Sequence, residues 1–160
     1  MQASRRSEKM ARVKRPRRVE DLMRRDIVTA PPGITLGDAE VLVRSARLRH
    51  LLVVEDGIVV GLISHRDLLD RSLAALPEAL QSNSTDVSNS IPIKDLIRTE
   101  PVTITPEASL ETAAIRMLAL RIGCLPVAIP SPRGPRLLGL VTEADLLRAA
   151  YMAAPAESGV

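Results

Sequence analysis

The sequence predicts a mixed α/β (α+β) fold made of two pseudo-symmetric βαββα repeats packed through their sheets. Three observations carry the prediction. The stretch GLISHRDLLD at 61–70 returns as GLVTEADLL at 139–147, both copies reading glycine, two aliphatics, a hydroxyl residue, two variable positions, aspartate and two leucines. Residues 19–39 also align on 93–113 at a constant offset of 74, setting Asp21 over Asp95, Leu22 over Leu96, Val28 over Val102, Thr29 over Thr103, Pro32 over Pro106, Leu36 over Leu110 and Ala39 over Ala113. Finally, the offset holds through RHLLVV (49–54) over GCLPVA (123–128) and becomes 78 at Gly61 over Gly139. The four extra residues fall where EDG (55–57) becomes PSPRGP (130–135), a turn that tolerates insertion.

Each repeat has a legible order of elements. A lead-in carrying DLM or DLI runs into a brief strand, IVT or VTI. A helix follows, with Thr35 or Ser109 as its N-cap. Over 36–48 it sets Leu36, Ala39, Leu42, Val43 and Ala46 on one face; its counterpart sets Leu110, Ala113, Ala114, Met117 and Leu118. The β-branched runs LLVV and IVVGLIS, joined by EDG, read as a hairpin. A last amphipathic helix starts at Ser64 or Thr142 and carries DLL. One half of roughly 55 residues buries little area alone, so the two halves are expected to share one core. The expected organisation is a basic tail 1–18, a first repeat 19–72, a linker 73–90, a second repeat 91–151 and a C-terminal tail 152–160, with the polar QSNSTDVSNS as the flexible part of the linker.

Composition narrows the function classes. The chain is 46% apolar yet has one Tyr and neither Trp nor Phe, so its core must be aliphatic. No apolar run approaches the ~20 residues of a membrane span, and a soluble, cytoplasmic protein is expected. Arg5, Arg6, Lys9, Arg12, Lys14, Arg15, Arg17 and Arg18 stand against Glu8 and Glu20, so the first twenty residues carry +6 of a net +3 and the remainder carries −3. The basic character belongs to a tail expected to be disordered, and nucleic-acid binding by the folded part is not expected. The single cysteine, Cys124, sits in the apolar run GCLPV and reads as a buried small hydrophobe.

Catalytic and metal chemistry find little support. No nucleophile stands beside a base, and His65 with Asp67 lacks further His or Cys to complete a metal set. His50 opens an apolar run as an ordinary strand-end histidine, and PPG at 31–33 lacks the lysine and helix of a phosphate loop. The repeated [ST]-x-x-D carries two readings. Ser64 or Thr142 can cap a helix while Asp67 or Asp145 reaches back to the cap backbone, although glutamate is the usual partner. Alternatively, the glycine opening each phrase lets a ligand approach the backbone and meet the aspartate.

Taken with VTITPEASLETAA, IGCLPV and the βαββα order written twice, the duplicated GLISHRD and GLVTEAD resemble the cystathionine-beta-synthase (CBS) domain family in its tandem form, the Bateman module. The resemblance covers 19–72 and 91–151. It implies a regulatory or sensor module without catalysis or required cofactor, binding AMP, ADP, ATP or S-adenosylmethionine between the repeats. It further implies one site combining Leu62, Ser64, Arg66 and Asp67 with Thr103, and another combining Leu140, Thr142 and Asp145 with Thr29. The aspartates would take ribose hydroxyls and Arg66 a phosphate. A homodimer built through 147–154 and the helix 36–48, and a separate regulated protein, are implied partners. A structural adaptor with empty sites is the alternative, and nucleic-acid association through the tail a weaker one.

Overall fold

The computed structural model describes residues 16–82, 90–97 and 100–153. The expectations for the tail before residue 16, for 83–89 of the linker and for 154–160 lie outside these residues.

The first repeat contributes β1 (Thr29–Ala30), α1 (Leu36–Ser45), β2 (His50–Glu55), β3 (Ile58–Ser64) and α2 (His65–Ser82). The second contributes α3 (Leu110–Leu120), β4 (Cys124–Ile129), β5 (Arg136–Thr142) and α4 (Glu143–Ala153), with Ile104 bridging Val127 where β1 meets β2 in the first. Thr35 and Ser109 cap α1 and α3 through the N–H groups of Asp38 and Thr112. The two hairpins repeat each other in register. Val53 faces Gly61 and Val127 faces Gly139, and in both copies the next residue shifts in a bulge. Asp56 and Gly57, both at positive φ, make the two-residue turn of the first hairpin. The inserted residues of the second fold into a loop closed by Ser131 and Gly134.

The sheet order is β1-β2-β3-β5-β4. Its halves meet only near the hairpin tips, where Val59 N–H donates to Pro135 O and Leu137 N–H to Gly57 O at 2.8 and 2.9 Å. The repeats are bound more firmly by exchanging their lead-ins. Val19 N–H donates to Ala108 O and Glu20 N–H to Pro106 O; 74 residues on, Ile93 N–H donates to Ile34 O and Lys94 N–H to Pro32 O. Val19 thereby fills the core of the second repeat, with Leu125, Val127 and Val141. Ile93 fills that of the first, with Leu51, Val53 and Ile63.

Three expectations need correction. The apolar interior is not one shared core but one cluster per repeat plus a small third at the junction, Leu52, Val59 and Ala128. Residues 73–82, assigned to the linker, continue α2, because LAALPEAL is rich in good helix formers and Ala75 is buried. Ser72, bonded to Glu40, ties this helix to α1. Leu118, expected on the inner face of its helix, is 79% exposed, since α3 buries only Ala113 and Met117.

Candidate functional site

Each duplicated phrase straddles a strand-to-helix turn. Ser64 ends β3 and Thr142 ends β5, so both hydroxyls stand at a helix N-terminus. Ser64 Oγ accepts from Asp67 N–H at 3.1 Å, and Asp67 Oδ2 accepts from Ser64 N–H at 3.1 Å. Thr142 and Asp145 repeat the arrangement at 3.3 and 3.0 Å. The hydroxyls also donate to the same carboxylate oxygens. The capping reading of the sequence is therefore realised in both copies. It uses Oδ2 alone, so capping and recognition through Oδ1 are compatible.

The glycines have a different occupant from the one the sequence suggested. A Cβ at Gly61 would stand 2.7 Å from Ile97 side-chain carbons, and one at Gly139 would stand 2.8 Å from Arg24 O and 2.9 Å from Met23 Sδ. The close approach is made by the lead-in of the opposite repeat. This is why the phrase opens on glycine twice: each copy receives a crossing segment.

Beside the first crossing lies a cleft of about 450 Å³ lined by Leu62, Asp67, Asp70, Arg71, Ala74, Asp95 and Leu96. Two of the predicted residues, Leu62 and Asp67, thus meet there with residues of the second repeat's lead-in. Ser64 caps the helix beneath. Arg66 is exposed and outside this lining, which takes Arg71 five residues further along α2. Thr103 lines another groove, of about 470 Å³, with Thr112, Ser131 and Arg116, whose guanidinium donates to Thr103 O at 2.8 Å.

The second aspartate is in a different state. Asp145 is 7% exposed, whereas Asp67 is exposed. Arg24 Nη2 donates to Asp145 Oδ1 at 2.8 Å, and Arg148 Nη1 lies 3.7 Å from the same oxygen. Burial pushes this carboxyl up, but hydrogen bonds from the Thr142 hydroxyl, Arg24 and the Thr142 N–H, with the Arg24 charge, outweigh it and hold the carboxyl below its ordinary range. Arg24 is set by two 2.9 Å backbone bonds to Leu140. Thr29 opens β1, exposed and paired with Leu52; the first-repeat residue that reaches Leu140 and Asp145 is Arg24. The sequence reading passed over Arg24, although the offset of 74 sets Arg24 over Arg98.

His50 and Glu143 both flank Gly123, each within 3.6 Å of where its Cβ would be, at the rim of an apolar groove of about 730 Å³ between α3 and α4. Burial and the charge of Arg49 lower the His50 pKa against the opposing pull of Glu143 and Asp67. Cys124 is buried, and burial with the nearby Glu143 pushes its thiol up to about 11.

A sequence model of the CBS domain matches residues 19–74 and 93–151. A CBS domain-containing protein of Dictyostelium discoideum is 31% identical over 133 residues, covering 81% of this chain and 88% of that protein. An uncharacterized protein of Methanocaldococcus jannaschii is 29% identical over 81% of this chain, which spans only 46% of its length. The match to an inosine-5'-monophosphate dehydrogenase of Korarchaeum cryptofilum, 27% identical over 87% of this chain, takes in 25% of that enzyme. Among solved structures, that of CBSX2 in complex with AMP superposes with a TM-score of 0.68 at 26% identity, covering 86% of this chain and 98% of that one. The crystal structure of the M. jannaschii protein superposes with a TM-score of 0.73 at 26% identity, over 88% of this chain and 49% of that one.

Proposed function

The chain belongs to the CBS-domain family, in tandem form, and from that premise we propose that it is a regulatory module that binds an adenine nucleotide in the cleft at Asp67. One observation carries the reading. Asp67 caps its helix with Oδ2 alone and lies exposed in a cleft shared by both repeats. Its carboxylate can accept from a ribose diol without giving up the cap. The volume, about 450 Å³, falls within the ~300–1,000 Å³ of small-ligand sites. AMP is the ligand of first choice, supported by the AMP complex of the similar CBSX2; ADP, ATP and S-adenosylmethionine complete the panel. Leu62 and Leu96 supply apolar surface for the base, and Arg71 a cation for phosphate.

The module acts by binding, not catalysis. Val41, Leu73 and Leu80 on the first repeat's helices and Leu118, Leu147 and Tyr151 on the second's are more than half exposed. These faces support a homodimer through the helices, as well as the second reading, a cytoplasmic adaptor that works by association alone. Thermal melting with the ligand panel decides between nucleotide module and adaptor. A ligand bound only by the folded state at ~100 times Kd adds ~2.7 kcal/mol, so AMP is expected to raise the melting temperature by several degrees. No shift with any adenine compound would leave the adaptor.

A further inference from the structure

Asp145 is a carboxylate that the fold cannot leave without a donor. Its side chain is 8% exposed and its Oδ2 is committed to Thr142. Water therefore cannot solvate it fully, and whichever group occupies Oδ1 must be a good donor. That group is Arg24, at 2.8 Å. The guanidinium is in the opposite situation, with 55% of its side chain exposed. On release it rehydrates at small cost. The Arg24 backbone is held to Leu140 by two bonds that do not involve the side chain. The contact thus has the properties of a displaceable one: a buried acceptor that accepts any good donor, and a donor free to leave without unfolding the segment that carries it.

We infer that Arg24 is an internal occupant of the second nucleoside site, holding the Asp145 oxygen that a ribose would engage, so that a ligand binds there only by displacing it. This rests on the reading of the duplicated aspartates as ribose acceptors. It assigns Arg24 as the residue that sets the affinity of that site. Arg148, 3.7 Å from the same oxygen, is the other cation facing it among the described residues and remains to hold the carboxylate ionised while ligand and arginine exchange.

The test is calorimetric titration with adenosine in an Asp67→Asn background, which isolates the second site. Arg24→Met removes the competing donor and keeps an unbranched apolar side chain, leaving the Arg24 backbone contact with Gly139 as it is. It is expected to tighten adenosine binding by about tenfold or more, the usual worth of a charge-assisted hydrogen bond. Adding Asp145→Asn is expected to abolish the gain. If Arg24→Met leaves binding unchanged or weakens it, while the Asp67-dependent site of the otherwise unaltered chain still binds, the inference fails and the nucleotide reading stands. If no adenine compound binds either the unaltered chain or Arg24→Met, both fail. Should Arg24→Met not fold, the unaltered chain gives the answer by NMR. Saturating adenosine is expected to expose the Arg24 guanidinium protons to fast solvent exchange, and their continued protection would overturn the inference.

Discussion

Replacing Gly139 by alanine probes the crossing of the lead-ins at its tightest point. The new Cβ would meet Arg24 O at 2.8 Å and Met23 Sδ at 2.9 Å. The first of these is backbone, fixed by reciprocal 2.9 Å bonds to Leu140, so relief requires the segment to move and both bonds to stretch. Overpacking of this kind costs ~1–3 kcal/mol and each weakened hydrogen bond up to ~1. Against that, alanine narrows the unfolded ensemble by ~0.4–1 kcal/mol relative to glycine. The net is a loss of roughly 2 kcal/mol, or ~4–8 °C in melting temperature for a chain of this size. Gly61→Ala is the internal control, since the nearest atoms to its Cβ are side-chain carbons of Ile97, at 2.7 Å. An isoleucine rotamer shift relieves most of that contact, so a loss near ~1 kcal/mol is expected. Urea unfolding followed by circular dichroism measures both variants. Equal stability of Gly139→Ala and the unaltered chain would refute the crossing as the reason for the repeated glycine.

Arg71→Ala is expected to weaken AMP by about tenfold while leaving adenosine nearly unchanged, and Arg66→Ala, outside the cleft lining, to alter neither; calorimetry with the two ligands decides. Because the folded-state pKa of His50 is depressed, the unfolded chain takes up its proton first as pH falls through ~6.5, so stability is lost below that pH. Urea midpoints at about pH 7.5 and 5.5 should fall further for the unaltered chain than for His50→Gln. With a thiol near 11, Cys124 is only about one part in a thousand thiolate at pH 8. Modification by a disulfide reagent is therefore expected only on unfolding, and fast labelling of the native chain would contradict its burial.

The repeat made most of the fold legible. Two copies of one phrase, displaced by 74 and then 78 residues, placed the caps at Thr35 and Ser109, both hairpins and the inserted loop. Local chemistry decided those features. The exchange of lead-ins was not legible, because DLM and DLI read identically whether they pack on their own repeat or on the other. The crossing hydrogen bonds and the burial of Val19 and Ile93 in opposite cores distinguish the two. The linker was bounded by the end of the repeated phrase and by the polar QSNSTDVSNS, which carries no signal for how far the helix formers around Pro77 extend α2. At the candidate site, aspartate and hydroxyl were visible as a spacing within one turn. Arg24 was not, since its meaning comes from a contact across 121 residues.

The most direct test is titration of AMP into the unaltered chain and into Asp67→Asn, with melting temperatures measured alongside. Asparagine keeps the shape of the side chain and can still accept from Ser64, so the cap and the fold should survive. What it loses is the charge that draws a ribose diol. If Asp67 takes the ribose, the melting temperature without ligand stays nearly unchanged and AMP binding weakens by about tenfold or more. AMP binding of equal strength in the two proteins would contradict this role, reducing Asp67 to the cap of a helix.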